Sequence, residues 1–262
     1  MRALFCRVHP VYAVAPTSLE LVTAGPAAEP VPERLKGFPV AEVAALQGNR
    51  KIKLHSTPIA MPSEMVSELG ERLWDASEPH GYLGAPPALR VVLGPIGPFA
   101  GRGYRDGLFI EAIPLTTLTV PPETFYLPAD VPPDAGPGTM VRIVAREYLV
   151  DDLDATLATL AHDLRWRPAA VVDEPGCRRA VMTFRSPRSA TLELVQPTAP
   201  GRVADAYEQL GAGPWTIRIA VVDVPAKAAD LDARGTPFTL EDGRLRPDPA
   251  TTLHVPIEFV AA

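Results

Sequence analysis

Two glutamates stand inside apolar, strand-like segments at matching places in the second half of the chain. Glu193 lies within Leu192-Glu-Leu-Val195, and Glu258 lies within Ile257-Glu-Phe-Val260. Carboxylates crowded into an apolar site can form a general acid/base pair, because crowding raises the pKa of one of them. On their own they would make an oxygen-only metal site, which suits a hard ion better than iron or zinc.

The elements that carry these glutamates occur twice. Residues 141–150 have strand composition, Asp152 follows as a helix cap, and leucines spaced by three or four residues then form one apolar helix face. Three more strand-like segments complete a βαβββ order that closes on Glu193. The same order recurs from Trp215, through a strand that ends in Asp223 and a short helix face, to Glu258. The separation of the two aspartates along the chain matches that of the two glutamates within loop variation.

Proline divides the chain into two halves. The 262 residues include 31 prolines, about 12%, against a usual share of about 5%. Six of them fall between Pro121 and Pro137, where neither a helix nor a central strand can run. We therefore expect a proline-rich linker over residues 121–139 between a domain of residues 1–120 and a domain of residues 140–262. The first half contains a blurred copy of the same repeat.

These residues resemble the vicinal-oxygen-chelate superfamily, which includes glyoxalase I, bleomycin-resistance proteins, methylmalonyl-CoA epimerase and extradiol dioxygenases. The resemblance rests on four segments: residues 148–154 leading into the helix, residues 192–197, residues 219–224 and residues 257–260. It covers about residues 140–262, and residues 1–120 only weakly. It implies an α+β fold in which tandem βαβββ modules form cupped mixed sheets, with two such domains in the chain.

The resemblance also implies where a metal would bind. Family members hold it with the closing-strand glutamate and with a residue about seven places before the aspartate that precedes each helix. Those two places hold Ala145 and Thr216, which cannot replace histidine. The metal site is therefore degenerate, and we predict no metal ligands and no cofactor. A divalent metal stays possible, although the usual histidine ligands are absent.

Other side chains on the same strand faces can line the cup, since residues two or four apart on a strand share a face. The predicted catalytic residues are Glu258, Glu193 and His254, the last sharing the face of Glu258. The predicted substrate-binding residues are Arg218, Glu147, Thr216 and Trp215. Each also has a structural alternative: the glutamates can pair with arginines, and Trp215 can fill the cup wall.

Two functional hypotheses follow. The first is an enzyme, an isomerase, lyase or cyclase that acts on a small carbonyl-containing or polyketide-like metabolite by metal-independent acid/base chemistry. The second is a non-catalytic protein that binds a small molecule, in the manner of the bleomycin-resistance proteins. A metal-dependent extradiol-type dioxygenase is a third alternative.

Net charge and hydropathy limit the classes of partner that we expect for this protein. The net charge is −6, and no run of Lys or Arg extends beyond a pair, so nucleic acid is not an expected partner. No segment approaches the roughly 18–20 apolar residues of a membrane span, and the amino terminus lacks a signal-peptide core. We expect a soluble cytoplasmic protein, monomer or homodimer, whose partner is a small-molecule ligand or substrate.

Overall fold

A computed structural model describes most of the second half of the chain and short segments of the first. The described residues are 2–7, 18–23, 57–61, 64, 68, 91–94, 97–98, 110–114, 135–163, 165–184, 189–252 and 254–262. Most of the predicted domain of residues 1–120, and the predicted linker as far as residue 134, lie outside them. The division into two domains therefore stays a prediction.

The described segments of the first half form two small sheets. Strand β1 (Arg2–Arg7) pairs antiparallel with β2 (Ser18–Thr23). The second sheet has the order β3-β6-β4-β5, from β3 (Thr57–Met61), β4 (Val91–Gly94), β5 (Gly97–Pro98) and β6 (Ile110–Pro114). Strands β3 and β6 are parallel, as an opening and a closing strand of a βαβββ unit would be.

The second half contains two βαβββ modules. The first consists of β7 (Met140–Leu149), α1 (Leu153–Asp163), β8 (Ala170–Glu174), β9 (Cys177–Met182) and β10 (Thr191–Pro197). Helix α2 (Arg202–Leu210) connects the modules. The second consists of β11 (Gly213–Val221), α3 (Val224–Ala233), β12 (Phe238–Glu241), β13 (Arg244–Pro247) and β14 (Ile257–Ala261), with a 3-10 turn at Pro249–Thr251.

The two modules join edge to edge in one eight-stranded sheet of order β12-β13-β14-β11-β7-β10-β9-β8. Strands β7 and β11 pair antiparallel at its centre, and each opening strand is parallel to its own closing strand. The predicted α+β class and the mixed sheet of paired βαβββ modules are thereby confirmed. Each half of the sheet repeats the other about the β7–β11 pair.

Asp152 caps its helix as predicted, and Asp223 caps the equivalent helix of the second module. Asp152 Oδ1 accepts a hydrogen bond from the Ala155 amide at 2.9 Å, and Asp223 Oδ1 accepts one from the Ala226 amide at 2.6 Å. Helix α3 then packs Val224 and other apolar side chains onto one face of the sheet, against β7, β11, β13 and β14. Because strand side chains alternate, the polar residues between those apolar ones point to the other face.

Helix α2 is an element that we did not predict. Its Val203, Ala206, Tyr207 and Leu210 pack against Trp215 and Leu149, and none of the helix is fully buried. The spacing of three, one and three is a helical signal, although the segment lies between a proline-rich break and a glycine pair. Among the described residues, no helix has the length and apolar character needed to cross a membrane.

Candidate functional site

Three glutamates lie buried on the face of the sheet opposite α3, which we call the cup floor. Glu147 on β7 is 0% exposed, Glu193 on β10 is 6% and Glu258 on β14 is 1%. Strand register brings them close together, because Glu193 stands opposite Glu147 and Glu258 stands opposite Arg218. Buried carboxylates are costly unless they are paired and hydrogen-bonded, so their partners decide what this site can do.

Arg218 connects all three glutamates. Its Nη2 donates to Glu147 Oε1 at 2.6 Å, its Nη1 to Glu193 Oε1 at 3.0 Å, and its Nε to Glu258 Oε2 at 3.4 Å. Burial would lower the pKa of Arg218, but the three carboxylates outweigh it and raise that pKa. One guanidinium thus holds both modules together across the β7–β11 pair.

Arg179 on β9 forms a second bridge within the first module. Its Nη1 donates to Glu147 Oε1 at 2.7 Å and to Glu193 Oε2 at 2.6 Å, and its Nε donates to Glu174 Oε1 at 3.1 Å. Burial opposes the charged form, yet Glu147 and Glu193 raise the pKa of Arg179 well above its usual value. Glu147 Oε1 therefore accepts from two guanidinia at once.

Glu258 is surrounded by arginines. Besides Arg218, it accepts from Arg246 Nε at 2.7 Å and Arg244 Nη1 at 3.2 Å, and Arg202 Nη2 lies 3.3 Å from its Oε1. Burial alone would raise the pKa of Glu258, but the Arg246 hydrogen bond and the neighbouring positive charges lower it. Both carboxylate oxygens of Glu258 thus have guanidinium partners, which leaves neither of them open to a substrate proton.

The two halves of this arginine–glutamate cluster differ in charge. Among the described residues, the first module supplies Glu147, Glu193 and Glu174, and these three pair with its Arg179. The other half has the buried Glu258 and the exposed Glu241 against four arginines, which are Arg202, Arg218, Arg244 and Arg246. We call this second group the basic half of the cup.

The difference in charge lies at equivalent positions of the two modules, where the first has Glu147 and the second has Arg218. The separation of Glu147 from Arg218 along the chain equals that of the two helix caps, and these residues pair in the same way with Glu193 and Glu258. The separation of Arg179 from Arg244 likewise equals that of Glu193 from Glu258.

Four arginines of the cluster were not among the predicted site residues: Arg179, Arg202, Arg244 and Arg246. The repeated spacing was a signal that could have found two of them, Arg179 and Arg244, because they occupy equivalent places before the two closing strands. Arg202 lies on the unpredicted helix α2, so its approach to Glu258 had no such signal.

A β-bulge sets the position of Trp215. Pro214 pairs with Tyr148 and Thr216 with Glu147, so Trp215 is the extra residue in β11. Its indole packs against Leu149 and α2, and the guanidinium of Arg202 lies 4.5 Å from the ring centroid. Trp215 therefore supports Arg202, and through it the basic half.

Thr216 lies at the centre of the cup floor. It is 1% exposed and stands opposite Glu147 in the β7–β11 pair. Its Oγ1 and Glu147 Oε2 are both buried and have no hydrogen-bond partner among the described residues. The structure thus brings Glu147, Glu193, Thr216, Arg218 and Glu258 together.

His254 does not join them. Strand alternation would place it beside Glu258 only in a closing strand that included residue 254, but β14 begins at Ile257. His254 is exposed in the preceding turn, with a φ of 61° and its amide bonded to the Pro249 carbonyl at 2.7 Å. Pro249–Thr251 and the following turn interrupt the strand, so the predicted placement of His254 beside Glu258 is wrong.

The residues present do not fit the metal that the family resemblance implies. Ala145 offers no ligand atom, Thr216 offers a neutral hydroxyl, and Glu193 and Glu258 are hydrogen-bonded to guanidinia. In the described part of the chain, no group of three or more His, Cys, Asp or Glu side chains is arranged to hold a metal ion. Arg218 supplies the positive charge between the two closing-strand glutamates.

Fold and site together define a paired-βαβββ protein whose cup floor carries an arginine–glutamate cluster. Solved structures similar to it include methylmalonyl-CoA epimerase from Mycobacterium tuberculosis, at 19% identity over 47% of this chain and 88% of that one, with a TM-score of 0.41. Methylmalonyl-CoA epimerase of Streptomyces coelicolor is 21% identical over 47% and 98%, also with a TM-score of 0.41. A hypothetical protein from Bacillus halodurans is 16% identical over 46% and 94%, with the same TM-score. No protein-family model matches the sequence, and no curated protein matches it significantly.

Proposed function

We propose that this protein binds a small anionic metabolite in the basic half of its cup. The observation that supports the proposal is the convergence of several guanidinia on the single buried carboxylate of Glu258. Arg202 and Arg244 are partly exposed, 46% and 36%, so they can donate to a further group. Guanidinium is well suited to this task, because its planar donors bind carboxylate and phosphate in a bidentate manner.

The electrostatics of the basic half favour an anion over a neutral ligand. Burial lowers the pKa of Arg202, and repulsion from Arg246 and Arg244 adds to that effect, while Glu258 opposes it. Crowded cations of this kind are relieved by an additional negative charge. A ligand carboxylate near Arg202 and Arg244 would supply that charge.

Binding can be tested with a panel of short carboxylates, 2-oxo acids and carboxylated acyl thioesters, screened by thermal shift and measured by calorimetry. A hydrogen bond to a charged group contributes about 1.5–3 kcal/mol, so Arg202→Gln and Arg244→Gln should each weaken binding roughly 10- to 100-fold. Arg234→Gln is the matched control, since Arg234 is exposed beside α3 and pairs with Asp230. Equal affinity in all three variants, or no bound anion, would refute the proposal.

A second candidate function is metal-independent acid/base catalysis, as an isomerase, lyase or cyclase acting on a small carbonyl compound. One observation favours it: among the carboxylate oxygens of Glu147, Glu193 and Glu258, only Glu147 Oε2 has no partner in the described residues. That oxygen is free to take a proton while Oε1 is held by Arg179 and Arg218. We therefore assign the base to Glu147 in this alternative.

Solvent-deuterium exchange at the carbon next to a carbonyl tests the second candidate. Glu147→Gln should abolish exchange, and Glu208→Gln, at an exposed position on α2, should leave it unchanged. Glu258→Gln decides between the two glutamates, because exchange that is lost only in that variant would return the role to Glu258. A ligand recovered chemically unchanged and without deuterium after long incubation would leave binding as the function.

A further inference from the structure

We infer that Glu147 Oε2 and Thr216 Oγ1 form a subsite for a ligand hydroxyl group, so that the anion taken by the cup is a hydroxy acid. This inference rests on the proposed anion binding and names the ligand class. It comes from the centre of the cup floor, where β7 and β11 meet.

The two atoms belong to directly opposed residues. Glu147 and Thr216 are partners in the antiparallel β7–β11 ladder, in which opposed Cα atoms are about 4.5–5.5 Å apart and side chains share a face. Both residues are almost completely buried, at 0% and 1% exposure. Neither atom has a hydrogen-bond partner among the described residues, and such orphaned buried groups are rare in native proteins.

A hydroxyl matches the pair better than other groups. A carboxylate oxygen can only accept a hydrogen bond, whereas the threonine hydroxyl can also donate one. A ligand hydroxyl can donate to Glu147 Oε2 and accept from Thr216 Oγ1 at the same time. An ammonium group could also donate to both, but it would stand beside the two guanidinia, of Arg179 and Arg218, that already bind Glu147 Oε1.

The subsite is close to the arginines that would hold the ligand's carboxylate. Arg218 contacts Glu147 through Nη2 and Glu258 through Nε, so one guanidinium separates the subsite from the basic half. A short molecule with a carboxylate and a hydroxyl a few bonds apart would satisfy both. Its carboxylate would meet Arg202 and Arg244, and its hydroxyl would meet Glu147 and Thr216.

The experiment compares three matched pairs of acids that differ by one hydroxyl: malate with succinate, lactate with propionate, and 3-hydroxybutyrate with butyrate. Calorimetry on the full chain should show that in at least one pair the hydroxy acid binds about 10- to 100-fold more tightly, since its hydroxyl bonds to a charged group. If the acids bind but every pair is equal, the hydroxyl subsite is refuted and anion binding stands. If none of the six binds but a 2-oxo acid or a carboxylated acyl thioester does, the hydroxyl subsite is refuted and anion binding stands. If no anion of the wider panel binds, both proposals are refuted.

Substitutions at Thr216 test whether the preference for hydroxy acids comes from this subsite. Thr216→Val keeps the shape and removes the hydroxyl, so it should reduce the preference within the discriminated pair by about 2- to 10-fold, the contribution of a neutral hydrogen bond. The bond to Glu147 remains, and the deoxy acid should bind as before. Thr216→Ser should retain most of the preference, and it serves if the valine variant does not fold. Thr159→Val, at an exposed hydroxyl on α1, is the control. A preference that is unchanged in Thr216→Val would overturn the assignment to this subsite.

Discussion

Removal of one buried arginine tests the cluster most directly. Arg179 is 9% exposed and pairs with Glu147 and Glu193, whose side chains are 0% and 8% exposed. Removing one partner of a buried ion pair costs about 3–5 kcal/mol, because an uncompensated charge stays in the interior. Arg218 still contacts both glutamates, so we expect Arg179→Ala to fall near the lower end of that range.

The adjacent residue is a matched control. Arg178 lies on the same strand but on its other face, and its 2.7 Å pair with Asp154 involves a carboxylate that is 71% exposed. Exposed pairs contribute about 0–1 kcal/mol, so Arg178→Ala should have little effect on stability. Two consecutive arginine-to-alanine substitutions should therefore differ severalfold in their cost.

Urea unfolding followed by circular dichroism measures both variants. With slopes of about 1–3 kcal/mol per molar urea, Arg179→Ala should lower the midpoint by about 1 M or more, and Arg178→Ala by much less. Adding Glu147→Gln to Arg179→Ala should recover part of the loss, since it removes the charge left unpaired. Equal effects of the two arginines, or additive losses in the double variant, would contradict the assigned pairing.

Three further predictions concern titration and the turn before β14. The pKa of Glu258 lies below its usual 4.5, so its ionised form stabilises the fold above that pH and the contribution is lost as pH falls through the folded-state pKa. Glu258→Gln should therefore flatten the loss of unfolding free energy below about pH 5, measured by urea unfolding at several pH values. Hydrogen bonds from Lys227 and Arg234 lower the pKa of Asp230 to about 2, and Lys227→Met should raise it in an NMR titration. His254→Asn should change stability by less than about 0.5 kcal/mol and leave anion binding unchanged, and a loss of binding would return His254 to the site.

Much of the fold could be predicted because its signals are local. Asp152 and Asp223 each cap the helix that follows them, and strand-like composition marks β7, β10 and β11 within a few residues. The duplication supported the prediction over a longer range, since the separation of Asp152 from Asp223 agrees with that of Glu193 from Glu258 within loop variation. Helix α2 was not predicted, although its apolar residues have helical spacing. Those residues pack against Trp215 and Leu149, which belong to other elements.

The site was less predictable than the fold. Face alternation brought Glu147, Glu193, Arg218 and Glu258 to one surface, because each lies inside a continuous strand. The same rule failed for His254, since the chain turns at Pro249–Thr251 and β14 starts late. No local pattern indicated that an arginine of α2 would reach Glu258.

The sequence alone determined the repeated modules and the absence of histidine from both expected metal positions, because these depend on residue type and spacing. Tertiary structure decided how the charges pair. Arg179 on β9 meets Glu193 on β10, and this contact depends on the register of β9 and β10. Arg218 on β11 meets Glu147 on β7, and that contact depends on the register of the two central strands. Residue identity made one half of the duplicated site basic, since Arg218 stands where the first module has Glu147. Register and the bulge at Trp215 are properties of the assembled sheet, and they set Thr216 opposite Glu147, each with a buried polar atom that has no partner among the described residues.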